Sequence, residues 1–179
     1  IQAAIDAANP DDTVSVAANT YIETITLNKR ITLQGAGEST TRIQGQVTVN
    51  ATNAIFSDFT IGGTVGSYLN VNPALSVGSG CTNSTFRRLT VKYVSGATGV
   101  SPGGSGNHFE FLTVTDVTAS QATAIYVNGN GNTFADTTIR NISSGMMWGQ
   151  GISLAGVSGN SFIRTTIFNI ITADTVAYG

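Results

Sequence analysis

The sequence predicts an all-β solenoid, short strands wound into stacked coils, and two observations carry that reading. The frame Phe-x-x-[Phe/Leu/Thr]-Thr-[Val/Ile] recurs at Phe56, Phe86, Phe109, Phe134 and Phe162, with spacings of 30, 23, 25 and 28 residues. Four of these frames follow a second one, read as ALSVGSGCTNSTF, GVSPGGSGNHF, AIYVNGNGNTF and GISLAGVSGNSF. Each holds an alternating apolar strand, a Gly-rich turn and an Asn ahead of the Phe. Self-similarity at this period is the mark of a repeat architecture. Helical periodicity fits none of these segments, and a sandwich would not produce a fixed pattern within each coil.

Alternation assigns the faces. Leu75 and Val77, Ile125 and Val127, and Ile152 and Leu154 each share one face of a strand, so they point inward. The Phe, the Val or Ile of the Thr frame, and Val94, Val117, Ile142 or Ile170 add further inward residues. Three short strands per 23–30 residues, turned by Gly and Asn that tolerate left-handed backbone, make one coil.

The pattern, roughly GIxLxGxxxNxFxxxTIxNI, resembles the repeat of right-handed parallel β-helix proteins of the pectin-lyase-like superfamily, over nearly the whole chain. The start, IQAAIDAANPDDTVSVAANTYIETITLNKRITLQGAG, is similar to the N-terminal segment of pectin methylesterases and related secreted β-helix proteins. The resemblance implies about six coils and a short N-terminal capping helix. That helix is expected within residues 1–9, from Ile1 to Ala8, with Ile1, Ala4, Ile5 and Ala8 on one face plugging the open end of the stack. Pro10, Asp11 and Asp12 end it, and the coils occupy residues 13–179 as a single domain. In ANTYIE, Ala18 to Glu23, Asn19 stands where the family has Gly, and Asn can serve the same turn. The chain starts without methionine and shows no C-terminal cap, so it is expected to be a processed form or a piece of a longer protein.

Bulk composition narrows the function. Charged residues make up only 10% of the chain, so hydroxyls and amides dominate the surface. Eight basic against ten acidic residues, with no basic cluster, argue against nucleic acid. No apolar run reaches the roughly 18 residues of a membrane span. The single cysteine, Cys81, excludes an internal disulfide framework and a cysteine-based zinc site. Sequons at Asn50, Asn83 and Asn141 suit a secreted protein but are common in so Asn-, Ser- and Thr-rich a chain.

Equivalent positions on successive coils stack about 4.8 Å apart, so columns show which side chains can meet. Asp58, Arg88, Phe111, Asp136 and Arg164 form one column, and Ser57, Arg87, Glu110, Ala135 and Ile163 the next. Opposite charges are neighbours in Asp58–Arg88, Arg87–Glu110 and Asp136–Arg164, which predicts exposed ion pairs rather than chemistry. Pectate lyases of the superfamily hold calcium with acidic residues from adjacent coils and use an Arg as base. A glycosidase needs two carboxyls about 5–9.5 Å apart. Asp58 and Asp136 lie three coils apart, roughly 14 Å, and Asp116 has Tyr93 and Asn141 beside it rather than an acid. The two Asp and one Arg of the methylesterase catalytic segments have no counterpart. No catalytic residue, metal ligand or cofactor is therefore assigned. His108 has no second His or Cys nearby and reads as a surface side chain. The Thr column, Thr60, Thr90, Thr113, Thr138 and Thr166, could match ice, but Gly62, Lys92, Thr115, Arg140 and Phe168 beside it break that flat array.

The variable loops hold the candidate site. Val65 to Pro73, Ser95 to Gly99, Thr118 to Thr123 and Ser143 to Gly151 are expected on one side of the stack. They carry Tyr68, Met146, Met147 and Trp148, and outward Tyr126 could extend the same apolar platform for a sugar ring or another protein. The sequence favours an extracellular or cell-surface module, structural or adhesive and non-catalytic, whose partner is a polysaccharide or a neighbouring subunit. The alternatives are a polysaccharide-active enzyme (lyase, esterase or epimerase) and a self-assembling filament or surface-layer subunit.

Overall fold

The Phe column sets the register of the whole stack. Val14 pairs with Leu33, Leu33 with Phe56, and the column then runs through Phe86, Phe109, Phe134 and Phe162 in parallel ladders. The computed structural model describes residues 1–146 and 148–173, and the backbone of 177–178. The fold is an all-β, right-handed parallel β-helix of about six turns with one short N-terminal helix.

Two sheets wrap the core. One, of 11 strands, contains Ile55–Gly62, Thr85–Val94, His108–Ala119, Thr138–Ser144 and Thr166–Thr172. The other, of seven strands, contains Ile25–Leu27, Val47–Val49, Leu75–Val77, Thr98–Pro102, Thr123–Val127, Gly149–Leu154 and Ala177–Tyr178. The expected inward residues Leu75, Val77, Ile125 and Val127 are buried. Ile152 is only half-buried, and Leu154 on the same strand is exposed, because fewer side chains cover them.

The long strands of the first sheet bend sharply without leaving it, and single left-handed residues make the bends. One corner column is Asp58, Arg88, Phe111, Asp136 and Arg164, with φ between 50° and 69°. A second is Tyr93, Asp116, Asn141 and Asn169, with φ of 54–55°. A third holds Asn53 and Asn83, then Gly106, Gly131 and Gly159. Asn, Asp and Gly enter this region readily, whereas Arg, Phe and Tyr do so at a cost. The charged column is therefore a hinge line of the coil as well as an ion-pair ladder.

Inside, the Phe rings stack face to face. Centroids are 4.6 Å apart for Phe86–Phe109, 4.7 Å for Phe109–Phe134 and 4.8 Å for Phe134–Phe162, with near-parallel planes. Beside them runs a buried Asn ladder. Asn107 Oδ1 accepts the Ser84 backbone N–H, Asn132 Oδ1 accepts that of Asn107, and Asn160 Oδ1 accepts that of Asn132. Their Nδ2 groups donate to the carbonyls of Cys81, Gly104 and Gly129. Turn groups that would otherwise be buried without a partner are thus satisfied from the next coil.

The helix spans Gln2–Ala7, a residue shorter at each end than expected, and closes the first coil with fully buried Ile5. The Glu23 of ANTYIE explains that motif: its Oε2 accepts the Gln2 backbone N–H at 3.0 Å. At the other end Lys29 Nζ donates to the carbonyls of Asp6 and Ala8, where a cation suits the helix terminus. No helix among the described residues is long and apolar enough to cross a membrane.

Candidate functional site

Between the first two corner columns the main sheet has a narrow outer face with two columns of residues, in which Thr60, Gly62 and Thr115 are nevertheless buried. Thr60, Thr90, Thr113, Thr138 and Thr166 form one; Gly62, Lys92, Thr115, Arg140 and Phe168 form the other. A groove lies along each edge.

The loop-side groove, about 400 Å³, follows the second corner. It is lined by Tyr68, Asp116, Thr118, Asn141, Asn169 and Ile171, among others. The corner conformation aims Asp116, Asn141 and Asn169 outward in a row. Asn169 Nδ2 donates to Asn141 Oδ1 at 2.6 Å, and Asn141 Nδ2 donates to Asp116 Oδ1 at 3.2 Å. The Thr115 hydroxyl donates to Asp116 Oδ2 at 2.9 Å. This directional chain ends on a carboxylate and leaves lone pairs and amide protons for a ligand.

Tyr68 closes one end. Its loop leaves the coil after Gly62 and returns to it at Leu69, whose N–H donates to the Tyr93 carbonyl at 2.7 Å. The Tyr68 and Tyr93 rings meet edge to face at 5.7 Å, and Lys92 Nζ sits 5.7 Å from the Tyr93 centroid. Partial burial lowers the Lys92 pKa, and Arg42 and Arg140 push the same way against Asp116 and Glu38.

The other expected contact residues do not join this groove. Tyr126 stands on the outer face of the seven-stranded sheet, in register with Ser153. Met146 and Trp148 are exposed in the loop after Thr138–Ser144, and neither lines the groove. Met147 lies outside the described residues. Of the four that are described, Tyr68 alone lines it: Tyr126 lies on a strand of the other sheet, and Met146 and Trp148 belong to a different loop.

The opposite groove, about 440 Å³, follows the first corner and is lined by Glu38, Arg88, Phe111, Thr113, Asp136 and Thr138. Here the charge ladder is only partly as expected. Arg88 Nε and Nη2 grip both Asp58 oxygens at 2.5 and 2.8 Å, and Arg164 does the same to Asp136 at 2.6 and 2.7 Å. Each carboxyl is held below its ordinary range by the arginine that binds it. Arg87 and Glu110 stand in register, yet no ion pair joins them among the described residues, and Arg87 Nε is buried without a partner. Asp58 is buried rather than exposed.

Phe111, which interrupts the charge column, and the Asp116–Asn141–Asn169 chain line these grooves although neither is among the residues the sequence singles out as contacts. An aromatic in a column of otherwise charged residues was the available signal for the first. Among the described residues no cluster of three or more His, Cys, Asp or Glu could hold a metal ion. Cys81 is buried, which pushes its thiol up, so it is no ready nucleophile.

No protein-family model matches the chain, and no curated protein matches it in sequence. Solved structures do match its shape. A pectin methylesterase mutant in complex with hexasaccharide IV matches at a TM-score of 0.58 and 12% identity, over 97% of this chain and 62% of the other. A pectin methylesterase in complex with hexasaccharide VII matches at 0.55 and 13%, over 91% of this chain and 61% of the other. At such identities the likeness is one of fold, and the chain spans about three-fifths of the length of those enzymes.

Proposed function

We propose that the chain is a polysaccharide-binding β-helix module, structural or adhesive in role, working outside the cell or at its surface. The observation that carries this reading is the loop-side groove, which Tyr68 lines together with the Asp116–Asn141–Asn169 chain of hydrogen-bonding side chains. A sugar presents an apolar C–H face and a rim of hydroxyls, and an aromatic wall beside carboxamides complements both. The hexasaccharide complexes of the similarly folded methylesterases lend support. The proposed action is binding, because Asp116 is the one carboxylate in the groove among the described residues, where acid–base hydrolysis of a glycoside needs two.

Titration with partly methylated oligogalacturonate hexasaccharide tests it. Wild-type protein should bind, and Tyr68→Ala and Asn141→Ala should each weaken binding about tenfold. No binding at millimolar sugar would remove the carbohydrate reading. Methanol release from methylated pectin, or unsaturated products from polygalacturonate with calcium, would overturn the non-catalytic one.

A further inference from the structure

We propose that the first-corner groove is a second carbohydrate site, built on Phe111 and selective for an uncharged pyranose chain. It is separate from the loop-side groove and does not depend on it.

The argument starts from backbone cost. Phe111 has φ 54° and is 54% exposed, so an aromatic occupies a left-handed position without the full packing that would offset the strain. Every other residue of the column is an Asp or an Arg engaged in an ion pair. The ring is the exception, in the middle of the groove.

Its neighbours are already oriented. Register places Arg88 on the coil before Phe111 and Asp136 on the coil after it. Both are gripped from their far sides, Arg88 by Asp58 and Asp136 by Arg164. Arg88 Nη1 has no partner among the described residues, and the Asp136 carboxylate keeps lone pairs beyond the two that Arg164 uses. Thr113 and Thr138, two residues after Phe111 and Asp136, also line the groove. A flat ring between a fixed donor and a fixed acceptor suits a pyranose stacked by its C–H face and held by vicinal hydroxyls.

Charge selects among sugars. Arg88 and Asp136 already have ion-pair partners in Asp58 and Arg164, which leaves Glu38 as the lining charge without one among the described residues, so a polyuronate would meet more repulsion than attraction. One ring framed by charges and threonines is also too small an apolar surface for a protein partner.

Isothermal titration with neutral β-1,4-linked hexasaccharides of glucose, mannose and galactose, and with oligogalacturonate, is the test. Phe111→Asn removes the ring with a residue suited to the left-handed backbone, and Phe111→Leu keeps apolar bulk without the ring. At least one neutral hexasaccharide should bind wild-type protein. Both variants should lose about tenfold or more in affinity, Phe111→Asn should melt no lower than wild type, and Tyr68→Ala should retain this binding. Failure of all three neutral sugars to bind, binding of oligogalacturonate alone, or unchanged affinity in Phe111→Asn would overturn the proposal. So would ring-dependent self-association without sugar binding, which would assign the groove to a second copy. Loss of the Tyr68 effect alone would instead strike the loop-side reading.

Discussion

Asn132 serves two coils at once: its Oδ1 accepts the Asn107 backbone N–H at 2.9 Å, and its Nδ2 donates to the Gly104 carbonyl at 2.9 Å. The residue is fully buried, so neither backbone group has water as a substitute. Asn132→Ala should therefore cost about 2–4 kcal/mol, the penalty for two buried backbone groups left unpaired. Asn160, only half-buried, makes the same two bonds, and Asn160→Ala should cost less. Urea midpoints of the two variants check the order. Equal losses would mean that burial does not set the worth of the ladder.

Asp58 gives the stack an acid-sensitive link. The Arg88 hydrogen bonds hold its carboxyl below the ordinary value of 3.8, outweighing the burial that acts the other way. The folded state thus binds this proton more weakly than the unfolded chain. Its stabilising contribution is full above about pH 4 and is lost as pH falls through the lowered folded value. Asp58→Asn should cost about 1 kcal/mol at pH 7, the upper end for a bidentate pair near the surface. That difference should shrink toward zero in strong acid. Asp136→Asn, in a more exposed pair, should cost less at every pH. Thermal melts from pH 7 to pH 2 provide the comparison.

Gly62 is fixed by its neighbour coil. A Cβ there would lie 1.7 Å from the Lys92 carbonyl oxygen, and φ is 135°. That carbonyl belongs to the parallel ladder and cannot retreat cheaply. Gly62→Ala should lower stability by more than about 2 kcal/mol and disturb the Tyr68 loop that starts beside it. Gly66, at the loop tip with φ 78° and nothing within 4 Å of a built Cβ, should tolerate Ala at about 1 kcal/mol. A similar cost at both positions would count against the close approach.

The coil was legible because its inward letters repeat. Phe134 and Phe162, and Asn132 and Asn160, face the partners that column reading gives them, and the outward Thr138–Thr166 pair keeps the same register. The corners were not legible, since Arg88, Phe111 and Tyr93 are poor formers of left-handed backbone and nothing in their chemistry announces a bend. The grooves follow from those corners, so they were hidden too. Tyr68 was found as an aromatic in a variable loop. Its neighbours Asp116, Asn141 and Asn169 are separated by 25 and 28 residues and act together only through stacking. Trp148, the sequence's most conspicuous candidate, lines neither groove.

Thr137 offers a test with the opposite sign. It precedes Thr138 as Leu112 precedes Thr113, so a hydroxyl occupies an inward position that holds leucine one coil earlier. The residue is fully buried, and its Oγ1 has no hydrogen-bond partner among the described residues. Thr137→Val replaces the hydroxyl with a methyl of nearly the same shape, so the unpaired polar atom is lost without opening a cavity. Stability should rise by about 1 kcal/mol. Thr41, equally buried, is the control: its Oγ1 accepts the Ala36 backbone N–H at 2.9 Å, so Thr41→Val should destabilise by about 1–3 kcal/mol. Denaturant midpoints should move in opposite directions for the two substitutions. A fall for Thr137→Val would show that its hydroxyl has found a partner in solution.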